Sequence, residues 1–328
     1  MSDESGIPEV ISDESGERLA RAVTIGAGVP VLAFDVGGTD IKSALFDADG
    51  TALGLRRTPT PAGGDDSPAR LIDRLAELSD ELRAQHPDVV PEAIGLVVPG
   101  IVDPERGIGV FSSNLGWRDA PMRELMSARF GMPVAFDHDV RMASWAEHVL
   151  GGARDYANAV VLIIGTGIAG ALLVDGRPYT AGGYAGEIGH SPIGEWPCPC
   201  GARGCLEAVA SAGAISRRYT DATGEVVDGA REVIARAAAG DETAARIWND
   251  ALDALTMSIA QLTAVIAPQA VVIGGGLSRA GGALFDELRT RLADRLSFHR
   301  IPELVPAELS GNAGILGSAL RARQAASA

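Results

Sequence analysis

The same short pattern occurs twice in this sequence and constrains the fold more than any other feature. In each copy an apolar run leads into a glycine–threonine turn, and a second apolar run follows the turn. Thr39 aligns with Thr166, and with that alignment Ile41 falls opposite Ile168. Short apolar runs bounded by turn residues predict buried strands. Two copies of strand, turn and strand therefore predict duplicated halves that face each other across a cleft.

The glycine-rich turns are candidates for a nucleotide site. Consecutive glycines at a tight turn let backbone N–H groups converge on an anion, and a threonine hydroxyl adds a donor. Two such turns facing one another would hold the phosphates of a nucleoside triphosphate. A third glycine run follows the apolar residues 270–273 and would allow close approach of adenine and ribose. The candidate nucleotide-binding residues are Asp35, Gly37, Gly38, Thr39, Lys42, Gly165, Thr166, Gly167, Gly274, Gly275 and Gly276.

Each of these turns also has an ordinary structural explanation. A Gly-Gly-Thr turn can join two strands without a ligand, and the third glycine run can be a connection that only needs to pack closely. Asp35 either holds a metal ion through water or simply ends its strand. The Walker pattern G-x4-G-K-[ST] does not occur in the sequence, so the turns do not predict a P-loop.

All three cysteines of the chain fall within one loop rich in glycine and proline, and a histidine precedes them. His190, Cys198, Cys200 and Cys205 form a complete ligand set for a tetrahedral zinc ion. Because protein ligands fill all four positions, the zinc would be structural and would supply folding energy to the loop. Two alternatives stay open: the cysteines are incidental buried thiols, or two of them form a disulfide. The acidic chain, which has no recognisable signal peptide, predicts a cytoplasmic location, where disulfides are rare.

Several polar residues are candidates for substrate binding and catalysis. Glu187 and Glu207 bracket the cysteine loop, where carboxylates at a rigid rim could bind polyols. Asn114 lies in a polar loop beside an aromatic residue, which is typical either of a small-ligand pocket or of an ordinary surface loop. Asp139 lies where a short strand leads into a helix, so it is either a helix N-cap or a general base at the mouth of the cleft.

The ordered motifs resemble the ROK family of sugar kinases and repressors, within the actin-like ATPase superfamily. The most specific similarity is the sequence Gly186-Glu187-Ile188-Gly189-His190 followed by Cys198-x-Cys200-Gly201-x-x-Gly204-Cys205-Leu206-Glu207. The resemblance implies an α/β fold, namely the two-lobed actin-like ATPase (ribonuclease H-like) fold with a cleft between the lobes. It also implies structural Zn²⁺ on the four ligands named above, and Mg²⁺ bound with ATP.

By the same resemblance, Asp139 is the catalytic base, and Glu187, His190 and Glu207 face the sugar hydroxyls. His190 then serves the zinc and the sugar through its two ring nitrogens. The implied reaction is ATP-dependent phosphorylation of a hexose, with glucose to glucose 6-phosphate as the leading expectation. N-acetylmannosamine, fructose and mannose are alternative substrates, and polyphosphate is an alternative donor. A non-catalytic sugar sensor is the alternative of another class.

The sequence departs from the family pattern in two places. Where the family usually reads Asn-Asp-Ala-Asn around the base, this chain has His138-Asp139-Val140-Arg141. His138 is therefore a candidate to contact sugar hydroxyls in place of the usual asparagine, although it is bulkier and titratable. In the first turn Asp40 stands where the family often has lysine, and Lys42 is the candidate to supply the missing positive charge.

The domain organisation follows from the positions of these motifs. We predict a disordered acidic tail at residues 1–29, a small lobe at 30–138 and a large lobe at 139–308, with a C-terminal helix at 309–328 packing back on the small lobe. The net charge of −15 argues against nucleic acid and anionic membranes as partners. Sugar and ATP are the predicted small-molecule partners, and the resemblance implies a homodimer or homotetramer.

Overall fold

The computed structural model describes residues 24–61, 63 and 66–327. The elements of the first half, in chain order, are β1 (Val31–Val36), β2 (Asp40–Phe46), β3 (Ala52–Pro59), α1 (Ser67–Gln85), β4 (Ala93–Val98), β5 (Ile101–Asp103), β6 (Ile108–Ser112), β7 (Trp117–Ala120), α2 (Met122–Phe130), β8 (Val134–His138) and α3 (Asp139–Leu150).

The second half continues from the end of α3. Its elements are β9 (Ala159–Ile164), β10 (Ile168–Val174), β11 (Arg177–Pro178), β12 (Pro192–Pro197), β13 (Arg203–Cys205), α4 (Glu207–Ala210), α5 (Ala212–Thr223), α6 (Gly229–Ala238), α7 (Glu242–Ile266), β14 (Ala270–Gly274), α8 (Gly282–Arg295), β15 (Glu303–Pro306) and α9 (Ala313–Ala326).

Two five-stranded sheets share the same strand order. The first sheet runs β3-β2-β1-β4-β8, and the second runs β11-β10-β9-β14-β15. In both sheets the first three strands of the order pair antiparallel, and the last three pair parallel. This equivalence, strand for strand, confirms the duplicated halves that the repeated sequence pattern predicts.

The central strands are apolar along their whole length because both faces of each sheet are covered. In β1, Leu32 and Phe34 belong to a core that includes the leucines of α1, whereas Val31 and Ala33 pack with α9. The central strands of the second sheet alternate in the same way between the core formed with α7 and a smaller cluster on the opposite face. Burial on both faces explains continuous apolar runs instead of apolar–polar alternation.

The chain crosses between the two sheets twice, after α3 and again after β15. Glu147 on α3 joins these two connections, because its carboxylate accepts hydrogen bonds from the backbone N–H groups of Gly152, Glu308 and Leu309. Glu147 is 1% exposed, so these backbone donors replace the water that the buried carboxylate has lost. The two connections are thereby held at one point beside α3.

The ends of the chain differ in part from the prediction. Up to residue 23 the predicted tail lies outside the described residues. Residues 24–29 were predicted to be part of that tail, but they pack on the first sheet: Thr24 bridges to Thr51, and Ile25 is buried in the core beneath α9. Helix α9 begins at Ala313, after a turn, rather than at residue 309. The boundary between lobes at residue 138 stays a prediction.

Two further results concern the helices. The segment after the cysteine loop forms two helices, because Ser211 is extended and its hydroxyl caps α5 by accepting from the Ala214 N–H. Within the part of the chain that the structure describes, no helix combines the length and the apolar character needed to span a membrane.

Candidate functional site

The first glycine–threonine turn joins β1 to β2 and exposes its backbone at residues 38 and 39. The Gly37 N–H donates to the Asp40 carbonyl at 2.7 Å, which closes the turn. Gly38 lies against Asn114, since a methyl group added at Gly38 would come within 3.3 Å of the Asn114 Cβ. A residue predicted to bind phosphate and one predicted to bind sugar are therefore neighbours.

Asp35 lies directly behind this turn, near the end of β1. Its Oδ2 accepts a hydrogen bond from the Lys42 Nζ at 3.2 Å, and the same Nζ donates to the Gly311 carbonyl at 2.5 Å. Burial raises the pKa of the Asp35 carboxyl above its ordinary value, Lys42 opposes the rise, and the negative charge of Asp139 adds to it. Lys42, predicted to reach the phosphates, is thus bound to Asp35 and to the segment before α9.

The junction between β8 and α3 places Asp139 at the first position of the helix. The N-cap is His138, whose Nδ1 accepts from the Arg141 N–H at 3.3 Å. The Asp139 Oδ1 accepts from the Val140 N–H at 2.6 Å and lies 3.2 Å from the His138 Nε2. No described residue bonds to the Asp139 Oδ2. Asp139 is therefore not the N-cap, and one of its oxygens is free for a ligand.

A buried ion pair lies beneath this junction, and sequence reasoning missed it. The guanidinium of Arg141 bonds to the Asp137 carboxylate, with Nη2 to Oδ1 at 2.5 Å, and both side chains are 4% exposed. Arg141 also donates to the Val102 carbonyl at 3.2 Å. That carbonyl lies against Gly183 of the second half, where any side chain would collide with it. The spacing of Asp137 and Arg141 by four residues was the available sequence signal.

The second glycine–threonine turn is shorter than the first by one residue, because strand pairing continues to Ile164 and Ile168. The Ile168 N–H donates to the Glu207 Oε2 at 2.7 Å. Gly275 packs against the backbone of Ile164, so its positive φ of 81° and its lack of a side chain are both required there. The third glycine run and Glu207 thus meet at the second turn.

The segment that carries Glu187 and His190 packs on the start of β10. Ile188 is buried against Gly170, and Gly189 lies against the Ile168 backbone with no room for a side chain. Glu187 and His190 on either side of this anchor are exposed. The structure therefore brings Glu187, His190 and Glu207 to the same end of the second sheet.

The cysteines lie on the hairpin of β12 and β13. The Cys200 and Cys205 sulfurs are 3.7 Å apart, the Cys198 sulfur is 4.0 Å from the His190 Nδ1, and the four ligand atoms all lie within 4.8 Å of one another. With zinc–sulfur bonds of about 2.3 Å, neighbouring sulfurs of a tetrahedral site are ~3.8 Å apart. The cluster therefore has the size of a zinc site, and its three cysteines are free thiols.

The thiols of this cluster occupy unequal environments. The hydrogen bond from the Ala202 backbone lowers the pKa of Cys200 to about 7, whereas burial raises the pKa of Cys205 to about 12. A cation bound between them would favour the thiolate form of each cysteine, since metal ligands must be deprotonated.

The predicted site residues form two groups. Asp35, Asn114, His138 and Asp139 lie around the first turn, and the residues of the second group, named above, surround the second turn. Among the described residues, no hydrogen bond or ion pair joins one turn to the other. A ligand contacting both turns would therefore have to bridge the two halves.

Comparisons with known proteins show which family the sequence matches. A sequence model of the ROK family matches residues 31–325. A glucokinase from Thermotoga maritima is 34% identical over 311 residues, covering 88% of this chain and 96% of the relative. An N-acetylmannosamine kinase from Escherichia coli O1:K1 is 34% identical over 300 residues, covering 89% of this chain and 98% of the relative.

A solved structure gives the same result for the fold. The ROK family glucokinase from Streptomyces griseus, in complex with glucose and AMPPNP, is 26% identical and superposes with a TM-score of 0.74, covering 90% of this chain and 99% of that chain. The predicted two-lobed actin-like fold is confirmed by this similarity and by the duplicated sheets.

Proposed function

The chain belongs to the ROK family, and from this premise we propose that it is a kinase that transfers the γ-phosphoryl group of ATP to a hexose. Glucose, phosphorylated on its C6 hydroxyl, is the first candidate. The observation that carries the proposal is the Asp139 carboxylate, since no described residue forms a hydrogen bond with its Oδ2. The same carboxylate is near enough to Asp35, behind the first turn, for its negative charge to raise the pKa of Asp35. A base beside a phosphate-binding turn is the arrangement that phosphoryl transfer requires.

The two glycine–threonine turns are the proposed phosphate sites. The backbone N–H groups of the exposed residues Gly38 and Thr39 would bind one part of the triphosphate, and those of Thr166 and Gly167 another, while the Gly165 N–H closes the second turn by donating to the Gly167 carbonyl. Residues 274–276, beside the second turn, would lie against the adenosine. Asp35 is the proposed partner of Mg²⁺, because a cation near its buried carboxyl would favour the ionised form. The Mg²⁺ would neutralise charge on the phosphates.

The reaction follows from the position of Asp139. Its Oδ2 would accept the proton of the sugar hydroxyl while the hydroxyl oxygen forms a bond to the γ-phosphorus. The bond between the γ-phosphorus and the bridging oxygen breaks, and ADP leaves with the bonding electrons. General-base catalysis of this kind contributes about 10²–10⁴-fold to the rate. Closure of the two halves would keep water from replacing the sugar as acceptor.

The proposed sugar ligands come from both halves. Asn114 lies beside the first turn, and Glu187, His190 and Glu207 lie at the start of β10. His190 turns its Nδ1 toward the cysteines, which leaves its Nε2 for a hydroxyl. Glu207 uses Oε2 for the Ile168 N–H and, among the described residues, keeps Oε1 without a partner. These groups offer both donors and acceptors, as recognition of a polyol requires.

We propose that Zn²⁺ binds His190, Cys198, Cys200 and Cys205. The donor set and its distances fit a tetrahedral site with no open position, so the ion would be structural. It would fix the hairpin that leads from His190 to Glu207, and would thus hold two proposed sugar ligands at their positions. The metal takes no part in the chemical step.

Replacing Cys200 with serine tests the zinc assignment. We expect the zinc content of the purified protein to fall from one ion per chain, and the melting temperature and the sugar affinity to fall with it, because the hairpin loses its constraint. Metal analysis and thermal unfolding measure these effects, and zinc added back after chelation of the natural protein is the control. A folded, active and zinc-free natural protein would show that the assignment is wrong.

Glucose and N-acetylmannosamine are the two sugars that the names of the relatives suggest. The glucokinase and the N-acetylmannosamine kinase are both 34% identical in sequence to this chain, so sequence identity does not decide which sugar is the substrate. Mannose and fructose also stay open. The location in the cytoplasm, the homodimer or homotetramer and the independence from nucleic acid remain predictions.

A coupled assay of ADP release, with Mg-ATP and a panel of hexoses and N-acetylhexosamines, tests the proposed function. Turnover with one sugar and not the others would identify the substrate. Turnover with polyphosphate but not with ATP would show that polyphosphate is the phosphoryl donor. A zinc-loaded protein that binds a sugar in calorimetry yet releases no ADP with any of them would instead be a sugar sensor.

A further inference from the structure

Both ring nitrogens of His138 are occupied by neighbours within the protein. Its Nδ1 lies 3.3 Å from the Arg141 backbone nitrogen, at the start of α3. Its Nε2 lies 3.2 Å from the Asp139 Oδ1. The family pattern usually has asparagine at this position, so the contact between an imidazole and the proposed base is a feature of this chain's own sequence.

The partners of His138 determine where its proton lies. A backbone N–H only donates, so the Nδ1 that accepts from Arg141 carries no proton. A neutral imidazole then has its single proton on Nε2, which faces the carboxylate of Asp139. The Nε2–H therefore lies 3.2 Å from the Asp139 Oδ1, an electrostatic contact with the carboxylate, and the cationic ring would have to give up the helix cap.

The contact constrains the orientation of the Asp139 carboxylate. Oδ1 accepts a hydrogen bond from the Val140 N–H at 2.6 Å and lies 3.2 Å from the Nε2 of the His138 ring. Held from two sides, the carboxylate keeps a single orientation in which Oδ2 is the oxygen left for a ligand. A carboxylate with only the Val140 bond would be free to turn its second oxygen away from the cleft.

We propose that His138 is a positioning residue for Asp139 and not a ligand of the sugar. It caps α3 through Nδ1 and orients the base through Nε2–H. The proposal rests on the proposed role of Asp139 in the kinase reaction. It replaces the expectation that His138 takes over the sugar contact of the usual asparagine, because both ring nitrogens already have neighbours within the protein.

Two substitutions separate the functions of the two nitrogens. The amide group of asparagine extends about as far from the backbone as Nδ1, and asparagine is a good N-cap. His138→Asn therefore keeps the cap and loses the contact with Asp139. The longer side chain of glutamine places its amide N–H near the position of Nε2, so His138→Gln keeps a donor to Asp139 and weakens the cap.

We expect His138→Asn to lower kcat by roughly ten-fold, the effect of losing the contact that orients the base, with the KM for the sugar little changed. His138→Gln should restore kcat to within about three-fold of the natural protein while its melting temperature falls. A sugar-binding His138 would give a different result: the KM for the sugar would change in at least one variant, and kcat would be preserved in both. That outcome would overturn the proposal.

An NMR measurement of the imidazole nitrogens tests the contact without depending on activity. The natural protein should show the His138 proton on Nε2, and the Asp139→Asn variant should shift the Nε2 resonance. A proton on Nδ1, or a Nε2 resonance that ignores Asp139→Asn, would overturn the proposal even in an active kinase. If the protein has no kinase activity, the proposed function fails, and the NMR result still decides whether His138 orients Asp139.

Discussion

Replacing Asp139 with asparagine is expected to lower kcat by about 10²–10⁴-fold, the share of the rate that a general base supplies. Asparagine has nearly the same size and can still accept the Val140 N–H bond, so α3 should begin as before. It cannot take a proton from a hydroxyl at neutral pH. The coupled ADP assay measures kcat, and thermal unfolding and zinc analysis show whether the fold and the cysteine cluster are intact.

A matched control is Asp49→Asn, which makes the same chemical change at an exposed turn between β2 and β3. Its kcat and KM should equal those of the natural protein. If Asp139→Asn turns over at close to the normal rate, Asp139 is not the base. If the activity and the melting temperature of Asp139→Asn both fall, the loss of activity is caused by damage to the fold and not by loss of the base.

The sheets could be predicted from sequence because their physical signal is local. A strand buried on both faces must be apolar at every position, and a turn between two such strands must contain glycine where the backbone is tight. Both signals occur twice in the same order, with Thr39 and Thr166 at corresponding turns. The four metal-ligand candidates were visible for a similar reason, since their spacing in the sequence is short.

The side-chain partners at the site could not be predicted, because they depend on residues that are distant in sequence. Lys42 has a positive charge at a suitable position for phosphate, but its length also lets it reach Asp35 and the Gly311 carbonyl. Nothing in the local sequence decides between these contacts. Glu147 is a comparable case, since two of its three backbone donors lie at residues 308 and 309.

His138 and Arg141 show how a change in a family pattern acquires a structural reason. Read as sequence, they are two bulkier residues in place of two asparagines. In the structure His138 caps α3, and Arg141 turns inward to pair with Asp137. The ion pair of Arg141 with Asp137 and the helix cap of His138 thus hold the segment that carries Asp139. We expect the two replacements to act first on the geometry of the base.

Replacing Arg141 with alanine is expected to lower the free energy of unfolding by about 3–5 kcal/mol, because it leaves the Asp137 carboxylate buried without its cation. Arg321 is the other cation near Asp137, with its Nε 3.8 Å from Oδ2, which is too far for a strong hydrogen bond. The double variant Arg141→Ala with Asp137→Asn removes the unpaired charge and should recover a large part of the loss.

Urea unfolding of the natural protein, the single variant and the double variant measures these effects as changes in free energy. The control is Arg74→Ala, which breaks an ion pair of 2.8 Å whose glutamate partner, Glu77, is 63% exposed. That exposed pair should be worth less than about 1 kcal/mol, since water screens it. A loss for Arg141→Ala no larger than the control's would mean that the buried pair does not stabilise the segment. A double variant no more stable than the single would mean that lost packing of Arg141, and not an unpaired charge, accounts for the effect.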